Sequence, residues 1–175
     1  MKIPFTKMHG IGNDFIILNQ LENQYNLNSE LIRSLSHRQY GIGFDQLLIV
    51  ESSLNPKAEF KYRIFNADGN EVEQCGNGAR CFYRFIKNKA LSKKLQLIVE
   101  TKLGLIKLSE RSESLISVDM GKPIFNKKIS NLFTSISIGN PHAVLKPLDK
   151  NQEWEGAIKL AKEIQNNKAF FPNGV

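Results

Sequence analysis

The segment from Gly76 to Lys89 constrains this chain more than any other. Ala79, Phe82, Tyr83, Ile86 and Ala90 recur at i, i+3, i+4, i+7 and i+11, the spacing of one apolar stripe along an α-helix. Cys81 and Phe85 widen the stripe, so the helix is expected to be deeply packed. Arg80, Arg84 and Lys87 share the other side. Just ahead, Asn66-Ala67-Asp68-Gly69 is a strong turn signal, because Asx side chains and glycine close tight turns at little cost. A polar, glycine-bearing loop therefore enters a buried helix, and Cys75 stands at the entry.

The other elements are short. Residues 2–8 and 15–19 read as strands around the turn His9-Gly10-Ile11-Gly12-Asn13-Asp14. Asn28 or Ser29 can cap a short helix that runs to His37. Gln46–Val50 and Phe60–Phe65 read as strands, and further strands are expected at 95–101, 104–109 and 115–120. Gly121-Lys122-Pro123 marks a boundary, giving an N-terminal domain over 1–120 and a second unit over 121–175. In the second unit, strands at 134–138 and 143–146 flank Gly139-Asn140-Pro141-His142. A helix over 152–166 presents Trp154, Ala157, Ile158, Ala161 and Ile164, with Asp149 and Gln152 as a capping box. Two strands and one helix are marginal alone, so the second domain is expected to be incomplete.

Composition removes several classes of function. Of the 175 residues, 41% are hydrophobic and 23% charged, a globular balance. No apolar run approaches the roughly 20 residues of a membrane span. The N-terminal residues lack the apolar stretch of a signal peptide, so no membrane partner and a cytoplasmic location are expected. Basic residues exceed acidic ones by 24 − 17 = 7. Much of the excess (Arg84, Lys87, Lys89, Lys93, Lys94) lies along and just after the buried helix, where lysines suit a solvated face and the negative end of the helix dipole. No RNA-binding signature or zinc-finger spacing accompanies it, so no nucleic-acid partner is expected. Three scattered histidines and two cysteines six apart suggest neither a metal site nor a disulfide framework. Gly10-x-Gly12 and Gly41-x-Gly43 lack the dinucleotide and Walker patterns, so no nucleotide cofactor is expected.

The chemistry concentrates at Cys75. The positive end of a helix favours thiolate over thiol, and the free N–H groups of a first turn can hold a carboxylate. Gly76 and Gly78 let a ligand approach the backbone closely. Such a thiol can serve as a nucleophile or a proton-abstracting base, and it can equally be a small residue closing off a core helix. Cys81 falls inside the apolar stripe and reads as core. Asn13, Asn66, Asn77 and Asn140 each sit in a glycine-containing turn beside a strand end. Four such amides could bind the charged ends of a zwitterion, although turn geometry alone explains each one. Asp14 fits a turn residue, and His9 and His142 have equal claim to structural hydrogen bonds.

These segments, taken in order, resemble the diaminopimelate epimerases. Lys7-Met8-His9-Gly10-Ile11-Gly12-Asn13-Asp14-Phe15 is similar to that family's N-terminal motif, and Gly41-Ile42-Gly43-Phe44-Asp45-Gln46-Leu47-Leu48 to a second segment. Phe65 to Arg80, with Glu73-Gln74-Cys75-Gly76-Asn77-Gly78-Ala79-Arg80, resembles its first catalytic-cysteine motif. Val118-Asp119-Met120-Gly121 and Gly139-Asn140-Pro141-His142-Ala143-Val144 continue the likeness.

The resemblance implies an α/β (α+β) fold, a curved, mostly antiparallel sheet wrapped around a central helix, with a second copy of that domain and the site in the cleft between them. It implies a cofactor-independent isomerase of lysine and peptidoglycan precursor biosynthesis. That enzyme interconverts LL- and meso-2,6-diaminopimelate by proton transfer between two cysteines. Cys75 corresponds to the first cysteine, and Asn13, Gln46, Asn66, Gly76, Asn77 and Asn140 to substrate-binding positions. His142 corresponds to a supporting histidine, and Cys81 to a non-catalytic position. The family's second cysteine motif has no counterpart in these residues, and the stretch between Pro123 and Ser137 reads as shortened. This chain alone is therefore expected to be inactive or weakly active. A homodimer or a complementing C-terminal fragment is the expected macromolecular partner. A racemase of another amino acid and a non-catalytic, diaminopimelate-binding remnant are the rival readings.

Overall fold

The computed structural model describes residues 2–112, 115–125, 133–145, 154–169 and 171. Contacts divide the chain into two compact units, Met1–Met120 and Gly121–Val175.

The first unit is an eight-stranded mixed sheet with a helix against each face. The strands are β1 (Thr6–Gly10), β2 (Asn13–Asn19), β3 (Gln46–Glu51), β4 (Phe60–Asn66), β5 (Glu71–Val72), β6 (Gln96–Thr101), β7 (Gly104–Ser112) and β8 (Leu115–Asp119). The order across the sheet is β1-β2-β3-β4-β6-β7-β8, with β5 beside β4. Most neighbours are antiparallel, while β2–β3 and β4–β6 are parallel.

Helix α2 (Gly76–Asn88) packs against one face. Phe15, Ile17, Leu48, Val50, Phe60, Tyr62 and Ile64 point to it, and Phe82, Tyr83, Phe85 and Ile86 reply from the helix. Helix α1 (Ser29–Ser36) covers part of the other face, over Ile16, Leu18, Leu47 and Ile49. The two clusters take alternate residues of β2 and β3, as the period-2 pleat requires. Burial on both faces is why these strands are unbroken apolar runs rather than alternating ones. Asn28 caps α1, its side chain accepting from Leu31 N at 2.8 Å.

The structure differs from the sequence reading at several ends. Residues 2–5 lie outside β1, and the first turn shrinks to Ile11-Gly12, because Gly10 pairs with Asn13. Both turn residues have positive φ, 52° and 85°, the geometry of a tight hairpin turn. Ala90 is not part of the helical stripe. It is exposed just beyond the helix at φ 52°, where its N–H reaches Lys87 O and the N–H of Leu91 reaches Ile86 O. This is the Schellman closure usually built on glycine. Arg84 is no free surface charge, since it pairs with Glu110 at 3.1 Å. Lys87 does reach the chain leaving the helix, donating to the carbonyls of Ser92 and Lys94.

The second unit holds β9 (Ile124–Phe125), β10 (Phe133–Ser137), β11 (Pro141–Leu145) and α3 (Trp154–Asn166). The three strands form one antiparallel sheet ordered β11-β10-β9. Its core is Phe133, Ile164 and Phe171, with Ala143, Leu145 and Leu160 against them. Helix α3 therefore packs through Leu160 and Ile164, and Ile158 is 49% exposed rather than part of the packed stripe. Among the described residues the sheet has three strands, too narrow to cover the wider face that the periodicity suggests. The Asp149–Gln152 capping box and the side chain of Trp154 lie outside the described residues.

Candidate active site

The site in the first unit is built at one end of the sheet. Asn13 opens β2, Gln46 opens β3 and Asn66 closes β4. Because β2 and β3 are parallel and β4 runs back beside them, all three residues fall at the same end. The N-terminus of α2 lies there too: a Cβ on Gly10 would stand 3.4 Å from the Asn77 carbonyl oxygen and 3.4 Å from Cys81 Sγ.

Cys75 is the N-cap of α2. Its backbone is extended, its carbonyl accepts from Ala79 N at 2.8 Å, and its Sγ accepts from Gly78 N at 3.3 Å. The thiol thus occupies the position usually taken by a serine or aspartate oxygen. The N–H groups of Gly76 and Asn77 have no intrahelical acceptor and can receive an anion. Met120 Sδ would stand 2.9 Å from a Cβ on Gly76, so a side chain there would have to displace the flexible end of Met120.

The amides meet in pairs. Asn77 Nδ2 donates to Asn13 Oδ1 at 2.8 Å, while Arg80 donates to Asn77 Oδ1. Gln46 Nε2 donates to Asn66 Oδ1 at 2.8 Å. These bonds use the acceptor oxygens of both asparagines and leave their amide donors available. Gln46 Oε1 is buried and has no hydrogen-bond partner among the described residues. An unsatisfied buried acceptor is costly, and a ligand ammonium would satisfy it.

Arg38 ties the strand starts together from outside. It pairs with Asp14 at 2.7 Å and Asp45 at 2.8 Å, residues next to Asn13 and Gln46. The Arg38 guanidinium holds the Asp14 carboxyl below the usual carboxylate range. Tyr62 stands beneath the helix start, its hydroxyl donating to Cys75 O at 3.3 Å. Nothing in the sequence marks Tyr62 apart from the other inward residues of β4.

Cys81 is buried, and burial pushes its thiol up to about 11. Both cysteines are free. Asn140 and His142 belong to the second unit, where His142 Nε2 lies 3.1 Å from Asn140 Oδ1. His142 also lines a cavity of about 240 Å³ there. His9 pairs across the β1–β2 hairpin with Asp14. A polar cavity of about 730 Å³ lies at the opposite ends of β3 and β4, beside Glu51 and Arg63. Its charged groups are engaged, Lys61 and Arg63 with Glu51 and Glu100 with the Ser53 hydroxyl, so it does not compete with the Cys75 end as a reaction site. Among the described residues no cluster of His, Cys, Asp and Glu could hold a metal ion, and no helix is long and apolar enough to cross a membrane.

Residues 5–126 match the family model described as Diaminopimelate epimerase. The diaminopimelate epimerase of Psychrobacter sp. (strain PRwf-1) is 45% identical, over 97% of this chain and 65% of that relative. That of Pseudomonas savastanoi pv. phaseolicola is 46% identical, over 97% and 68%. The chain thus spans about two thirds of the length of the curated relatives it matches. Among solved structures, a probable proline racemase from Agrobacterium radiobacter K84 aligns with a TM-score of 0.66 at 12% identity, covering 95% of this chain and 61% of the other. A hydroxyproline epimerase from Agrobacterium vitis gives 0.63 at 11%, covering 81% and 51%. These two show the fold, a curled α+β sheet with few helices.

Proposed function

The chain belongs to the diaminopimelate epimerase family, and from that membership we propose that it contributes one half of a cofactor-independent epimerase of 2,6-diaminopimelate. The observation that carries the proposal is the thiol of Cys75 capping α2 beside the Asn13–Asn77 amide pair.

The chemistry follows from the groups present. An amino-acid α-proton is very weakly acidic, so the carbanion needs fixed dipoles around it and little water. The first-turn N–H groups of Gly76 and Asn77 take the substrate α-carboxylate at the positive end of α2. Asn13 and Asn66 offer amide donors, and the buried Gln46 Oε1 offers an acceptor for an ammonium group. Cys75 moves the α-proton on one face. Inversion requires a second group on the opposite face. Cys81 is unsuited to that task, being core and held protonated by burial. The second thiol is therefore proposed to come from residues other than these 175, such as those of a complementing C-terminal fragment. Asn140 and His142 are proposed as a substrate contact and its support. Two free cysteines suit the reducing cytoplasm, the proposed location.

The test follows exchange and inversion together. The purified chain is incubated with LL-diaminopimelate in D₂O, and the products are read by chiral chromatography and mass. Cys75-dependent deuterium uptake at the α-carbon is expected, with inversion far below normal turnover. Uptake that survives Cys75→Ala overturns the role of Cys75, and normal turnover overturns the need for an outside thiol. Binding without any exchange would mark a binding fragment instead.

A further inference from the structure

We propose that Tyr62 is a positioning residue for Cys75, its hydroxyl setting from the sheet side where the thiol stands. The inference rests on the reading of Cys75 as the proton-transferring group and goes beyond it to what holds that group in place.

Three observations converge. First, Tyr62 is fully buried in the middle of β4, with its ring centroid 4.7 Å from that of Phe82 on α2. Phenylalanine would fill the same volume, so packing alone does not call for the hydroxyl. Second, the hydroxyl donates to the Cys75 carbonyl, which already accepts from Ala79 N at 2.8 Å. The helix does not need this second bond to close its first turn. Third, Tyr62 Oη would stand 2.4 Å from a Cβ on Gly78. Gly78 is the residue whose N–H reaches Cys75 Sγ. The hydroxyl therefore touches both ends of the cap, the carbonyl of Cys75 and the glycine that donates to its sulfur.

Burial keeps the phenol protonated well above its ordinary range, so it remains a donor at any working pH. Cys81 also faces this cluster from α2, and Arg80 on the same helix donates to Asn77 Oδ1. A freed carbonyl would let the cap rotate and lengthen the Gly78 N–H to Sγ contact, so the sulfur would no longer be held in one place.

The experiment is the pH–rate profile of iodoacetamide alkylation at Cys75, resolved by peptide mapping, with the melting transition recorded alongside. In Tyr62→Phe, alkylation of Cys75 at pH 8 is expected to change at least threefold and the profile to separate from the parent's, while Cys81 is unchanged. Gly78→Ala, which displaces the hydroxyl without removing it, is expected to move the profile in the same direction. In the double variant the two effects should be less than additive, because both act on one contact. A Tyr62→Phe profile that overlays the parent's overturns the proposal. Should that variant fail to fold, an unmoved Gly78→Ala profile overturns it equally. No substrate enters this assay, so it stands or falls separately from the D₂O exchange experiment.

Discussion

Asn77 and Asn13, 64 residues apart in sequence, share a 2.8 Å hydrogen bond that joins the first turn of α2 to the start of β2. The bond fixes which way each amide faces. Arg80 takes the Asn77 oxygen, Asn77 takes the Asn13 oxygen, and the Asn13 nitrogen is left as a donor. Asn13→Asp keeps the acceptor for Asn77 but replaces that donor with a negative charge. The melting temperature should change little, whereas the dissociation constant for diaminopimelate should rise at least tenfold. Equal affinity in a calorimetric titration would remove Asn13 from the substrate contacts.

Gly78→Ala places a methyl group 2.4 Å from Tyr62 Oη and 3.2 Å from Leu48 Cδ2, both deep in the core. Overpacking of this kind costs about 1–3 kcal/mol. Urea unfolding should show a lower midpoint at unchanged slope. An unshifted midpoint would mean that the helix start is looser than its contacts require.

Ala90→Gly should stabilise the protein. Alanine at φ 52° carries a left-handed penalty of about 1 kcal/mol, which the extra chain entropy of glycine offsets in part. A small upward shift of the melting temperature is expected, and a fall would contradict the Schellman reading.

Acid should weaken the first unit through Glu71. The bidentate bond from Arg63 holds its carboxyl below the usual glutamate range. A depressed folded value adds stability at higher pH and loses it as pH falls through that range. Arg63→Met should therefore flatten the acid side of the stability–pH curve while lowering the neutral plateau. An acid limb as steep as the parent's would show that other carboxylates dominate.

The sequence made some of this legible and hid the rest for physical reasons. Helix α2 announces itself because burial on one side imposes a 3.6-residue period, and only Ala90 falls outside the stripe, where alanine does the work of glycine. The strand β5, Glu71–Val72, lies inside what reads as a polar loop. It exists through pairing with Ile64 and Phe65 across the turn at residues 66–70 and through the Arg63–Glu71 bond, and two residues are too few to show an alternating pattern. The parallel pairings β2–β3 and β4–β6 are long-range and leave no local trace. At the site, Asn13, Asn66 and Asn77 were visible as turn amides. That Asn77 pairs with Asn13, and Gln46 with Asn66, depends on strand order. Tyr62 and Arg38 lie in no motif that marks them, and only the fold brings them to the Cys75 end of the sheet.

The central claim, that Cys75 is the thiol that meets diaminopimelate, is tested most directly by its alkylation in the native protein beside that of Cys81. Peptide-mapped rates at pH 8 should show Cys75 reacting at least tenfold faster, since Cys81 is buried and its thiol is pushed up to about 11. Added diaminopimelate should slow Cys75 and leave Cys81 untouched. Equal rates for the two thiols, or a Cys75 rate indifferent to diaminopimelate, would contradict the account.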